Sequence, residues 1–285
     1  MERQNTVINN PILIKKATGE EQIFSFDKLE QSLQRAGAKP ETIQLVLADM
    51  QKWIKPGFTT KMIYTRAFSF LRNEKTGSPI RYRLKQAMLE MGPSGYPFEI
   101  LIGQLFSEEG FQTEVGQILQ GMCISHEMDV IATQDQNQHL VECKYHKDQG
   151  KSVSIQVPLY VRARVNDIVD KRMTLDTFRD FKFTPWVVTN TRFSNDSVNY
   201  SRCKELRLLA WDYPSNNGLK EKLEHYKLYP ITILTTLSLA DKRLLLDKGW
   251  VSVKQLIEND AWHCEFEFSK RKYKMIKREL HRLLD

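Results

Sequence analysis

One stretch limits the architecture more than any other: Met128 to His146, MDVIATQDQNQHLVECKYH. It reads as two short apolar strands joined by a polar turn, with Asp129 on the first strand and Glu142 and Lys144 on the second. Alternate residues of a strand point to one face, so Glu142 and Lys144 project together while Cys143 turns the other way. Charged side chains set beside Val130-Ile131-Ala132 and Leu140-Val141 are costly to bury unpaired. Two carboxylates and an ammonium on one face can instead hold a divalent cation and an attacking water. The bland alternative is a surface Asp-Lys-Glu cluster on a half-exposed sheet.

Bulk properties narrow the classes. With 285 residues, 41% hydrophobic and 27% charged, the chain is long enough for two or three modest globular domains. No run approaches the roughly 18 apolar residues of a membrane span. The opening MERQNTVINNPILIKK is too polar for a signal peptide. Cys123, Cys143, Cys203 and Cys264 are too scattered for a zinc site or a disulfide framework, so a cytoplasmic location is expected. A net charge of +7 and a pI near 9.1 favour a polyanionic partner without establishing one.

In chain order, Ile12-Leu13-Ile14 and Gln22-Ile23-Phe24 predict a β-hairpin turning at Thr18-Gly19-Glu20. Asp27 is the expected N-cap of a first helix stopped by Gly37. Pro40 opens a second helix, Thr59-Thr60 a third, and Ser78-Pro79 a fourth that runs to about Met91. Residues 12 to 91 resemble the ATP-cone, a regulatory nucleotide-binding module. Leu13-Ile14-Lys15-Lys16, the Gly19 turn, Phe26-Asp27-Lys28-Leu29 and Phe58-Thr59-Thr60-Lys61-Met62-Ile63 carry the likeness. It implies that Lys15, Lys16 and Lys28 meet the phosphates of ATP or dATP, with Thr60 at the helix start beside them. The alternative is a solvated basic hairpin.

Gly92-Pro93-Ser94-Gly95-Tyr96-Pro97 is dense in turn residues and marks the expected domain boundary. Beyond it the pattern predicts a helix over 98–109 with Glu99 in its first turn, a hairpin over 111–115 and 118–122, and the Asp129 strand. After the Glu142-Lys144 strand come a helix over 154–173, a buried parallel strand over 183–189, a helix over 196–204 and a strand over 206–211. With the 111–122 hairpin counted as one element, this α-β-β-β-α-β-α-β order is a mixed sheet with helices on both faces.

Asp129, Glu142-Cys143-Lys144 and Glu99, in that order of elements, resemble the PD-(D/E)xK nuclease superfamily, in particular the Mrr-like restriction-endonuclease-like proteins. The likeness spans about residues 95 to 213. It implies Mg²⁺ or Mn²⁺ held by Asp129, Glu142 and the Cys143 carbonyl, with Lys144 orienting water or stabilising charge and Glu99 an auxiliary carboxylate. Gln156, on the next helix, reads equally as a water- or phosphate-touching residue and as a solvated one. His126 and Glu127 are candidates near the metal, although a lone His is more often structural. Cys143 is expected to pack beneath the sheet.

After Pro214-Ser215-Asn216-Asn217-Gly218 the chain reads as small helices. The Lys248-Gly249-Trp250-Val251-Ser252 turn resembles part of a helix-hairpin-helix unit, and a basic amphipathic helix closes the chain over 269–284. That helix is either a phosphate-facing surface, a solvated face or an oligomer contact.

The predicted fold is therefore a multidomain α/β and α chain. It comprises an ATP-cone of small β-hairpin and helices at 1–92, a PD-(D/E)xK mixed-sheet nuclease core at 93–215, and a small helical C-terminal domain at 216–285. The predicted function is a metal-dependent DNA endonuclease regulated by ATP or dATP. The alternative is a nucleotide-responsive DNA-binding regulator with an inactive nuclease fold. Partners are DNA and nucleotide, with no membrane; a double-strand break would need two active centres, which leaves a homo-oligomer open.

Overall fold

The computed structural model describes residues 11–16, 19–36, 38–71, 83–259, 262–266 and 268–284. It divides into two compact units, Met1–Tyr82 and Arg83–Leu284. Gly37, the Ala17-Thr18 part of the hairpin turn and the Ser78-Pro79 helix start lie outside the described residues.

In the first unit, β1 (Leu13–Lys15) pairs antiparallel with β2 (Glu21–Ile23). Gly19, at φ +83°, takes the left-handed turn conformation that a side chain disfavours. Helix α1 (Phe26–Arg35) is capped by Ser25, whose hydroxyl accepts from Lys28 N–H; Asp27, the expected cap, sits in the first turn, where its charge suits the helix dipole. Helices α2 (Pro40–Trp53) and α3 (Thr60–Leu71) complete the unit. Ile14, Leu33, Val46, Met50, Ile63 and Leu71 form its core. Arg66 clamps Asp49 through two hydrogen bonds of 2.6 and 2.8 Å.

The second unit begins with α4 (Leu84–Leu89), ahead of the turn-dense segment expected to mark the boundary. The reason is packing. Ala87 O accepts from Thr232 Oγ1 at 2.6 Å and Leu89 O from Tyr145 Oη at 2.7 Å, which ties α4 to distant residues of the second unit. Helix α5 (Tyr96–Glu108) leads to β3 (Gln112–Gln120), β4 (Ser125–Gln134), β5 (Asn137–Lys144) and the two-residue β6 (Ser152–Val153). Then come α6 (Gln156–Arg172), β7 (Lys182–Thr189), the short β8 (Arg192–Phe193), α7 (Asn195–Cys203) and β9 (Arg207–Leu209).

The five-stranded sheet runs β3-β4-β5-β7-β9, antiparallel among the first three and parallel among the last three. Helices cover both faces because β5 alternates. Leu140 meets Val161, Val165 and Ile168 of α6, whereas His139 meets Phe106 of α5 with ring centroids 5.8 Å apart.

Two sequence expectations change here. The hairpin over 111–122 is one continuous strand, β3, because Gly116 does not turn the chain. It sits inside the strand at φ +65° with pairing intact on either side, Val115 to Val130 and Gln117 to Met128. The C-terminal helices α8 (Leu219–His225), α9 (Leu239–Asp247), α10 (Val253–Glu258), the four-residue α11 (Trp262–Glu265) and α12 (Lys270–Leu284) belong to the same compact unit as the sheet. Ion pairs bolt them on: Lys222 to Glu109, Lys254 to Glu108, and Lys242 to Glu90 at 3.5 Å.

The true turn between β3 and β4 is 121–124, and Asp167 of α6 holds it. Its carboxylate accepts from Cys123 N–H at 2.9 Å and Ile124 N–H at 3.3 Å, while His126 Nε2 lies 2.7 Å away. A Cβ on Gly121 would collide with Asp167 Oδ2, so only glycine admits this grip. Gly121→Ala is expected to lower the thermal midpoint by about 3–6 °C by forcing the clasp open, as read by calorimetry; an unchanged midpoint would show the turn to be held by other contacts.

Candidate active site at the fork of two strands

The β4–β5 ladder ends at Val130↔Val141, but β5 goes on pairing with β7 through Lys144↔Thr189. The two strands part just where Asp129 and Glu142 would have faced each other. In place of the next backbone rung, Asp129 Oδ2 accepts from Cys143 N–H at 2.6 Å. Glu142 and Lys144 lie on one face, as the strand period requires, with Nζ 2.6 Å from Glu142 Oε1. Cys143 points to the other side and is buried, which pushes its thiol pKa well up and leaves it a packing residue.

Glu142 is only 3% exposed, so its charge needs compensation. Three donors supply it. Tyr160 Oη reaches Oε1 at 2.7 Å, Lys144 reaches the same oxygen, and Arg164 Nη1 reaches Oε2 at 2.7 Å. Arg164 also donates to the Glu127 carbonyl. Burial alone would lower the pKa of Lys144. The hydrogen bond to Glu142 and the neighbouring Tyr160 outweigh it, and the group stays a cation throughout the physiological range.

The other carboxylates behave oppositely. Asp129 is pushed up to about 6, first by burial and then by the charge of Glu142, against the pull of the Cys143 N–H. Glu99, in the first turn of α5, is pushed up to about 7 by burial and by the charges of Asp129, Glu127 and Glu142. Thus the ionisation of Glu99, Asp129 and Lys144 is altered by charges within this cluster, Glu142 among them, as four residues from three elements.

The expected ligand set is not gathered into a cage. Among the described residues no three His, Cys, Asp or Glu donors stand together as an evident metal site. His126 is engaged by Asp167, which holds the carboxyl down to about 2. Gln156 is exposed at the start of α6. Tyr160 and Arg164 were not singled out from sequence. The signal was available, because Gln156, Tyr160 and Arg164 recur every four residues and therefore share a stripe of the helix.

Lys15, Lys16, Lys28 and Thr60 lie in the first unit. Lys15 bridges to Thr59, whose hydroxyl caps α3 by accepting from Met62 N–H at 3.2 Å, so Lys15 and Thr60 share one corner. Lys16 faces Glu20 at 3.4 Å, and Lys28 is exposed on the first turn of α1. The helix-hairpin-helix likeness loses its main support. Val251 and Ser252 N–H groups, which would meet phosphate, donate instead to Gln255 Oε1 at 2.8 and 3.0 Å.

Fold and site define a mixed α/β protein with a buried cluster of acidic and basic side chains where two strands of a five-stranded sheet separate. A relative from Archaeoglobus fulgidus, described as an uncharacterized protein, is 35% identical over 133 residues, 47% of this chain and 71% of the relative. A crystal structure described as protein of unknown function AF1548 is similar at a TM-score of 0.55 and 28% identity, over 67% of this chain and 98% of that one. The family described as AF1548-like, C-terminal, matches residues 229–284. The chain belongs to the AF1548-like family. A likeness to the MspJI restriction endonuclease in complex with a 27-mer oligonucleotide has a TM-score of 0.34 at 15% identity, over 60% of this chain and 35% of that one, too slight to carry an assignment. Among the described residues no helix is long and apolar enough to cross a membrane.

Raised carboxyl pKa values set the sign of a pH effect. A group whose folded pKa exceeds its unfolded value stabilises fully below the unfolded value and loses that contribution as pH rises through the folded one. Asp129 and Glu99 should therefore make the fold less stable between about pH 4 and 7. Thermal melts across that window are expected to show a decline that Glu99→Gln flattens. Parallel pH profiles of variant and wild type would refute the coupling.

Proposed function

We propose that the Arg83–Leu284 unit is a PD-(D/E)xK nuclease that hydrolyses phosphodiesters of DNA with a divalent cation. The observation that carries this reading is the fork itself: Asp129, Glu142 and Lys144 meet where β4 and β5 separate, with Glu99 raised by their charges. The donor chemistry fits a hard cation. Asp129 and Glu99 are carboxylates whose charged state burial and neighbouring carboxylates disfavour, a cost that a nearby cation would relieve. Asp129, Glu142 and the Cys143 carbonyl would hold magnesium or manganese, which supplies an acidified water and charge neutralisation at the leaving oxygen.

The chain's own groups have separable roles. Lys144, protonated at working pH, donates to charge that builds on the phosphate and does not act as a base. Glu99, near 7, can take or give a proton. Tyr160 and Arg164 hold Glu142 in orientation.

In the first unit, Lys15, Lys16, Lys28 and Thr60 would bind the phosphates of ATP or dATP in an ATP-cone. Lys15 beside the start of α3 supports this, since ammonium groups and helix N-termini both favour phosphate. Nucleotide would then bias activity only by favouring one arrangement or assembly over another.

A second reading, a DNA-binding regulator that does not cut, draws on the full engagement of Glu142 by Tyr160, Lys144 and Arg164. Plasmid cleavage with Mg²⁺ or Mn²⁺ separates the two. Asp129→Ala and Lys144→Ala are each expected to slow cleavage by about 100-fold or more. A wild type that binds plasmid without nicking it would favour the regulator, and rates indifferent to saturating ATP and dATP would remove the regulatory role of the first unit.

A further inference from the structure

The rim that carries Lys144 continues sideways. β5, β7 and β9 run parallel, so the ends at Lys144, Thr189 and Leu209 lie along one edge, the crevice where open sheets of this kind bind ligands. Just past β9, Trp211 is buried. Its N–H donates to Thr191 O at 3.2 Å, and its carbonyl accepts from Lys220 N–H at 3.1 Å. The Lys85 ammonium of α4 lies 5.6 Å from the centre of the Trp211 ring. Arg192, next to Thr191, sends Nη2 to Gly150 O at 3.4 Å. Lys85 thus stands over the indole, while Lys220 and Arg192 flank the Trp211 backbone from two other elements, near enough for their charges to act on the Lys85 ammonium.

Their counter-charges are fewer. Asp212 raises Lys85 and Glu224 lies 3.8 Å from Lys220. Burial first, then the charges of Lys220 and Arg192, nonetheless lower the pKa of Lys85. A partly buried ammonium with two further cationic residues beside the same tryptophan suits an anion with several acceptor oxygens. Arg192 lies three residues beyond Thr189, the partner of Lys144, across a bend at Asn190 and Thr191 that keeps it within about 10 Å.

We propose that Lys85, Arg192 and Lys220, held around Trp211, form a second phosphate-binding site that grips the backbone of the nucleic-acid strand alongside the scissile bond. The proposal rests on the nuclease reading for the position of that bond. The binding itself does not require cleavage. Backbone contacts of this kind fix the register of a strand and carry no sequence preference.

The test is anisotropy of a labelled single-stranded oligonucleotide titrated in EDTA at several salt concentrations, with melts to establish folding. Lys85→Gln, Arg192→Gln and Lys220→Gln are each expected to weaken binding about 3- to 10-fold and to lower the salt slope by about one. Lys182→Gln, an exposed cation at the opposite end of β7, should match wild type. If Lys85→Gln fails to fold, the two half-exposed positions carry the test. Unchanged affinity and slope in those variants would overturn the site. Loss of labelled ATP binding with oligonucleotide binding intact would overturn it too, by making it a free-nucleotide site. Intact, variant-sensitive binding without Mg²⁺-dependent cutting would sink the nuclease reading while leaving this site standing.

Discussion

The hydrogen bond from Cys143 N–H to Asp129 is the contact on which the site depends. A buried backbone N–H needs an acceptor, and at the end of the β4–β5 ladder the neighbouring strand no longer offers one. A side-chain carboxylate fills the vacancy, which lets the strands diverge at no cost in unsatisfied backbone. Beyond the point of divergence Glu142 and Lys144 project to one side, against Tyr160 and Arg164 of α6. The position of Gly116, across from Asp129 in the β3–β4 register and at a positive φ, falls at the same level. The irregularity of the sheet and the location of its ionisable groups are one event.

The charges near the fork divide into two regimes. Glu142 is enclosed by a hydroxyl, an ammonium and a guanidinium, whereas burial and the charge of Glu142 raise Asp129 against the Cys143 N–H, and burial and three carboxylates raise Glu99. Side chains a few ångströms apart therefore differ in their demand for a proton or a cation. Such divergence is how one small pocket keeps a permanent cation beside carboxyls poised near neutral pH.

Much of this was legible in the sequence. Period-two patterning placed Glu142 and Lys144 on one face, and the apolar run FTPWVVT announced β7 as a buried parallel strand. The order of the main elements from α5 to β9 followed from local pattern, apart from the splitting of β3 and the two-residue β6 and β8. What escaped depended on distant partners. Gly116 reads as a turn residue unless the register across β4 is known. The domain boundary at the Gly-Pro-rich stretch failed because α4 is claimed by Tyr145 and Thr232, far along the chain. Tyr160 and Arg164 look like ordinary helix residues until α6 lies over the sheet. The helix-hairpin-helix likeness overlooked Gln255, whose side chain occupies the N–H groups of the turn.

The enclosure of Glu142 has a consequence for the order of events in the pocket. Whatever draws that carboxylate away strands an ammonium and a guanidinium in a partly desolvated space, a loss of several favourable contacts. A positively charged visitor arriving alone would impose that loss in full, and a negatively charged one alone would leave the carboxylate bare. Only visitors of both signs, entering together, exchange every partner for another.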